Sequence, residues 1–178
     1  LLNIVAEQVY AKEKDNRTMI NILGHIVEFR NGESGMHVHH IQTITRLLLR
    51  RLVQKTDKYD LTEKDILQII TASSLHDIGK ITIDDKILNK PGKLTDEEFA
   101  IMKTHAAAGA NMLRDLPIYQ EKKSLVHVAY QICRWHHERY DGRGYPDGLK
   151  GEDIPISAQV VALADVYDAL TSERCYKK

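Results

Sequence analysis

No proline occurs before residue 91, and this does most to limit what the chain can fold into. Proline removes a backbone donor and clashes with the preceding helical turn, so a stretch of that length without it is open to long helices. All four prolines lie in the second half, and four of the ten glycines fall within residues 142–151, which marks one concentrated loop. Residues 1–30 read as a single helix. Its positions 2, 5, 9, 12, 16, 19, 23, 26 and 30 form one row, apolar at Leu2, Val5, Val9, Met19, Leu23 and Ile26 and polar at Lys12, Asn16 and Arg30. Two readings fit that row. One is a two-stranded coiled coil, a homodimer through this helix, in which a buried Asn sets the register. The other is an amphipathic helix packed on its own domain.

A second helix is expected over about 36–57, with Ile41, Ile44, Leu48 and Leu52 on one face. Leu61 to Asp65 looks like a cap, opening a third helix to about His76 that Gly79 ends. Residues 81–94, with Pro91-Gly92, read as a loop holding one short turn. Thr95-x-x-Glu98 is a capping box for a helix to about Leu116. Another helix is expected over about 122–138, then the loop DGRGYPDGLKGEDIP, then a last helix from Pro155-Ile156-Ser157 through about Thr171. No alternating strand pattern of useful length appears. The fold class is therefore all-α, a bundle of five to seven helices.

Composition narrows the function. Hydrophobic residues at 43% are enough for a real core, and the formal net charge of zero argues against a nucleic-acid polymer as partner. There is no apolar run near the roughly 18 residues of a membrane span. The start, LLNIVAEQVY, lacks the basic region and cleavage site of a signal peptide. Cys133 and Cys175 make no disulfide framework, which leads to the expectation of a reducing cytoplasm. The first residue is Leu rather than Met, so a longer parent protein is expected.

The chemistry is carried by polar residues in apolar helices. His76-Asp77 follows IITASSL, Asp165 lies within VVALADVYDAL, His136-His137 follows a helix containing Val126, Val128, Ile132 and Trp135, and His105 sits among Ile101, Met102 and Ala106. Glu33 and His37 are four apart, so on a helix they would share a face. A buried carboxylate is costly unless it is paired or binds metal. Any one of these histidines alone reads as an ordinary structural residue; the set, drawn from several helices, reads as a metal site built inside a bundle. Imidazole and carboxylate without thiolate suit iron, manganese, zinc and similar ions. Six to eight such groups are too many for one ion and point to two metals roughly 3.5–4 Å apart, the spacing used for phosphoester hydrolysis.

The stretches LHDIGKITIDDKILNKPGKLTDEE, MKTHAAAG, HHERYDGRGYPDGLKGEDIP and ALADVYDALTSERCYK follow one another in this order. With them the chain resembles the HD-GYP family, a branch of the HD-domain metal-dependent phosphohydrolases, from about Glu33 onward. The resemblance implies an HD-type helical catalytic domain over 33–178, preceded by a linker or signalling helix over 1–32. It implies a bacterial cytoplasmic phosphodiesterase that hydrolyses cyclic di-GMP to the linear dinucleotide pGpG, GMP or both, by attack of a metal-bridging hydroxide on phosphorus. Two or three divalent ions are expected, iron or manganese first among them. By the resemblance, His37, His76, Asp77 and Asp165 hold one ion, and Asp77 bridges to a second held by His105, His136 and His137. Glu33 matches a position that adds a third ion in some members. Lys80 matches the family's phosphate-contacting lysine, suited to the charge that develops at phosphorus. Tyr145 is expected to stack on guanine or to hold its loop, and Arg174 and Lys177 to contact substrate. The Gly144-Tyr145-Pro146 loop is expected to meet GGDEF-domain partners. His25, His39, His40 and His127 are left out of the metal set. Family domains continue beyond the position of Lys178, so a shortened C-terminus is expected. A binding-only signalling module and a phosphodiesterase for a hybrid cyclic dinucleotide are the alternative functions.

Overall fold

A computed structural model describes residues 2–32 and 35–172. The described residues form seven α-helices and no strand: α1 (Leu2–Arg30), α2 (His37–Lys55), α3 (Glu63–Ala72), α4 (Asp85–Leu88), α5 (Asp96–Arg114), α6 (Leu125–Trp135) and α7 (Ile156–Thr171). None of these helices is long and apolar enough to cross a membrane. The all-α expectation holds. Both predicted caps form as reciprocal boxes, Thr62 with Asp65 at the start of α3 and Thr95 with Glu98 at the start of α5. Each satisfies two backbone donors that a helix start leaves without partners. Inward faces of α2, α3, α5, α6 and α7 bury Ile41, Leu49, Ile66, Ile69, Ile132 and Val161 in one core.

Three expectations are corrected. First, α3 stops at Ala72 rather than near His76. The Ser73 hydroxyl turns back on the Ile70 carbonyl at 2.7 Å, and the chain tightens into 3₁₀ turns over Ser73–Leu75 and Ile78–Thr82. Serine competes in this way with the regular helical ladder. Gly79 therefore lies inside a turn and does not terminate α3. Its role is contact: a Cβ there would stand 2.5 Å from the Gly109 nitrogen of α5. Second, α6 is shorter than expected, opening at Leu125 with Ser124 accepting from the His127 amide and closing at Trp135. Third, the apolar row of α1 is not packed on its own domain: Val5, Val9, Met19, Leu23 and Ile26 are each half or more exposed.

The opposite face of α1 is the one that packs. Val27 is buried, and Gly24 passes so close to the Ser73–Leu75 turn that a Cβ would stand 2.5 Å from the Ser74 carbonyl oxygen. Gln42 of α2 donates to Asn21 at 2.8 Å and to the Ser74 hydroxyl at 2.6 Å. Arg30 donates to the Lys80 and Ile83 carbonyls at 2.9 and 2.7 Å. The second half of α1 thus clamps both turns that flank His76 and Asp77.

Candidate metal centre

The polar residues singled out above come from five places in the fold and meet at one. His37 is the first residue of α2; His76 and Asp77 lie between the two 3₁₀ turns; His105 is on α5; His136 caps α6 and His137 follows it; Asp165 is on α7. Two groups result, Asp77 with His105, His136 and His137, and His37 with His76 and Asp165, the ligand atoms within each group lying within 4.8 Å of one another. The Asp77 carboxylate stands at the junction. Its Oδ1 is 3.2 Å from His105 Nε2 and 3.7 Å from His136 Nε2, while its Oδ2 is 3.3 Å from His76 Nε2 and 2.6 Å from Lys80 Nζ. On the other side His37 Nε2 is 3.7 Å from Asp165 Oδ1.

The local chain path explains this convergence. Because α6 ends at Trp135, two consecutive histidines face the same centre, their rings 3.9 Å apart, which an unbroken helix would not allow. The Gly79 and Gly109 backbones approach closely, which draws the turn carrying Asp77 and Lys80 onto the face of α5 that carries His105.

Hydrogen bonds at the back of each ring fix its tautomer. Nδ1 of His76 lies 2.9 Å from the Ser73 carbonyl, Nδ1 of His105 2.7 Å from that of Met102, and Nδ1 of His136 2.9 Å from that of Ile132. A carbonyl only accepts, so each Nδ1 carries a proton and each ring turns its Nε2 inward, where it offers a lone pair whenever the ring is neutral. His76 Nε2, His136 Nε2 and Asp77 Oδ1 are buried and make no hydrogen bond. Buried polar atoms of native proteins are nearly always satisfied. Lone pairs of nitrogen and carboxylate oxygen directed at one another are what a divalent cation satisfies, and the donor set is of the imidazole–carboxylate kind. The residues present therefore fit a pair of divalent ions.

Charge in the metal-free site is distributed accordingly. Burial opposes protonation of His76, but the Asp77 carboxylate outweighs it and raises the pKa to about 9. Burial likewise works against the Asp77 anion, yet the neighbouring Lys80 and His76 hold it well below the usual carboxylate range. Burial, then the charge of His76, lowers His136 to about 4. Burial and the adjacent His136 and His105 lower His137 further.

The glycine-rich loop is pinned to the end of α6. Asp147 accepts two bonds from Arg134 and one from Trp135, at 2.7, 2.7 and 2.8 Å. The buried Glu138 accepts from the Asp147 and Gly148 amides at 2.7 and 3.0 Å. Gly144 lies against Glu138, where a Cβ would stand 2.6 Å from its carbonyl carbon. The loop thereby lays the Tyr145 ring nearly flat on His137, centroids 4.7 Å apart, and burial raises the Tyr145 pKa. Glu33, Arg174, Lys177 and Cys175 lie outside the described residues, and α2 begins only at His37. Of the histidines left out, His39 is exposed, His25 lies 3.8 Å from Glu28, and His127 packs against Tyr119.

Sequence reasoning missed Asp168. Its buried carboxylate accepts from His37 Nδ1 at 2.7 Å, from His40 Nδ1 at 2.8 Å and from the Ser172 hydroxyl at 2.8 Å. Burial works against its anion, but these three bonds hold its pKa below the usual range. The available signal was its place three residues after Asp165, on the same face of α7.

Residues 18–178 match a family model described as HD domain. A probable cyclic di-GMP phosphodiesterase of Vibrio cholerae is 46% identical over 163 residues, covering 88% of this chain and 36% of that protein. A 3'3'-cGAMP-specific phosphodiesterase 2 of the same organism is 42% identical over 162 residues, covering 91% of this chain and 29% of that protein. The cyclic di-GMP phosphodiesterase response regulator RpfG of Xanthomonas campestris is 39% identical over 166 residues, covering 93% and 41%. The chain spans roughly a third of the length of these relatives.

Proposed function

The chain belongs to the HD-domain family, and from that premise we propose that it is a metal-dependent phosphodiesterase hydrolysing cyclic di-GMP to pGpG, GMP or both. The observation that carries the reading is the shared carboxylate: the two oxygens of Asp77 are directed at different histidine groups. His37, His76 and Asp165 hold one ion with Asp77; His105, His136 and His137 hold the other with it. Bound there, two ions supply a water acidic enough to act as nucleophile near neutral pH and positive charge for the phosphate oxygens. Lys80, beside Asp77, meets the charge that develops on the phosphoryl oxygens as the phosphorus–oxygen bond breaks. Tyr145, braced on His137, offers its outer face to a base, and Arg174 and Lys177 contact the ligand. Glu33 adds a third ion or supports one of the two. Iron and manganese are the metals this donor set favours first. Residues 1–32 act as a linker helix, and the exposed row of α1 pairs with that of a second copy. Relatives named as 3'3'-cGAMP-specific phosphodiesterases support a second reading, in which a hybrid cyclic dinucleotide is the preferred substrate.

The test is a panel of cyclic di-GMP, 3'3'-cGAMP and linear pGpG offered to protein reconstituted anaerobically with Fe(II) and separately with Mn(II). Turnover of a cyclic dinucleotide that stops on chelation supports the reading. Metal uptake without turnover of any of the three refutes it in favour of a binding module.

A further inference from the structure

Four inward-facing histidines of the centre are held from behind, and three of them are held in the same way. His76, His105 and His136 each direct Nδ1 at a main-chain carbonyl three or four residues earlier: Ser73, Met102 and Ile132. That carbonyl lies one turn below the ring on the same stretch of chain, so the support comes with the local backbone. His37 is held by a side chain. It is the first residue of α2, with Met36 as its N-cap. Its acceptor comes from another element: Asp168 of α7 receives Nδ1 at 2.7 Å. The same helix carries Asp165 three residues earlier, 3.7 Å from His37 Nε2. One face of α7 thus reaches His37 from both sides, with Asp165 before its inward nitrogen and Asp168 behind its outward one.

We propose that Asp168 is a positioning residue for the ion held by His37, His76 and Asp165, keeping His37 in the tautomer that directs its Nε2 lone pair toward Asp165. This rests on the two-ion reading above. A carboxylate behind a ligating imidazole fixes the ring and raises its basicity, and losing such a partner costs about 10–100-fold in metal affinity. The three bonds divide the labour within the carboxylate. Oδ2 serves His37 alone, while Oδ1 takes both His40 and Ser172. His40 is therefore dispensable to the ion: its removal leaves the Oδ2 bond in place.

The experiment is titration of Mn(II) into the metal-free protein by calorimetry, with a thermal melt of each metal-free variant. Wild-type protein shows two binding steps, and His37→Ala identifies which step belongs to its group. Asp168→Ala should weaken that step by about 10–100-fold and leave the other within about twofold. Asp168→Asn keeps one acceptor oxygen but no charge, and should fall between; it also serves if the alanine variant does not fold. His40→Ala should leave both steps within about twofold. The proposal is overturned if both steps weaken alike in the Asp168 variants, if neither does, or if His40→Ala reproduces the Asp168→Ala effect. Wild-type protein that takes up fewer than two ions overturns the two-ion reading itself, and this proposal with it.

Discussion

Adding one methyl group at Gly79 should break the centre from beneath. The Cβ of Gly79→Ala would stand 2.5 Å from the Gly109 nitrogen and 2.9 Å from the His105 carbonyl carbon, with the His105 carbonyl oxygen nearer still. All three are main-chain atoms of α5, so no side chain can swing aside. The Gly79 backbone is not in the left-handed region, so the cost is steric alone. Overpacking of this kind typically costs 1–3 kcal/mol, and rigid backbone on the far side puts Gly79→Ala near the top, about 3 kcal/mol. For a chain of this size each kcal/mol lowers the melting temperature by about 2–4 °C, which gives a loss of about 6–12 °C. Gly109→Ala is the control. Its Cβ would lie 2.9 Å from the Gly79 nitrogen and 3.1 Å from Ile78 Cγ2, a milder conflict that is offset by about 1 kcal/mol of gained helix propensity within α5. Its melt should therefore shift by no more than about 3 °C. Because the Gly79 turn carries Asp77 and Lys80, Gly79→Ala should also weaken uptake of the ion assigned to His105, His136 and His137. Thermal melts of the metal-free proteins followed by Mn(II) titration check both points. A Gly79→Ala melt no lower than that of Gly109→Ala would refute the close-approach argument.

Three further outcomes are expected. Lys80→Met should lower kcat by about 10²–10³ with metal content unchanged, as for loss of one well-placed electrostatic donor; near wild-type kcat would remove Lys80 from the chemistry. Asp147→Ala cuts the bonds to Arg134 and Trp135, and should lower stability by about 1–2 kcal/mol and raise KM while the ions stay bound, because Tyr145 loses its brace; an unchanged KM would mean that the loop holds itself. In chelator-treated protein, His76 binds its proton more tightly when folded, so its contribution is complete below about pH 6.5 and is lost as pH rises toward 9. His136 resists its proton when folded, so stability also falls as pH drops from about 6.5 toward 4. The melting temperature should peak near pH 6.5, and a flat profile across pH 4–9 would contradict the charge distribution described for the centre.

The helical class and the caps were legible in the chain because they rest on local chemistry: Thr62 with Asp65, Thr95 with Glu98, and the lack of early proline. The residues that converge stood out because a histidine or aspartate in an apolar run needs a reason to be there. Less was legible where geometry depends on contacts between distant segments. The early end of α3 follows from Ser73 turning on its own backbone and from the approach of Gly79 to α5, neither of which periodicity records. The row on α1 carried the same pattern whether covered or exposed, and only packing of the Val27 face shows which side meets the body. Asp168 reads in sequence like any polar residue near the end of a helix. Its significance lies in the His37 ring of another helix, whose Nδ1 it receives at 2.7 Å.

The account turns on Asp77 standing between two ions, and anomalous diffraction at the manganese edge from crystals of the Mn(II)-loaded protein tests it most directly. Two peaks about 3.5–4 Å apart, with one Asp77 oxygen bound to each, are expected. A single peak, or two peaks of which only one touches Asp77, would contradict the shared-carboxylate centre.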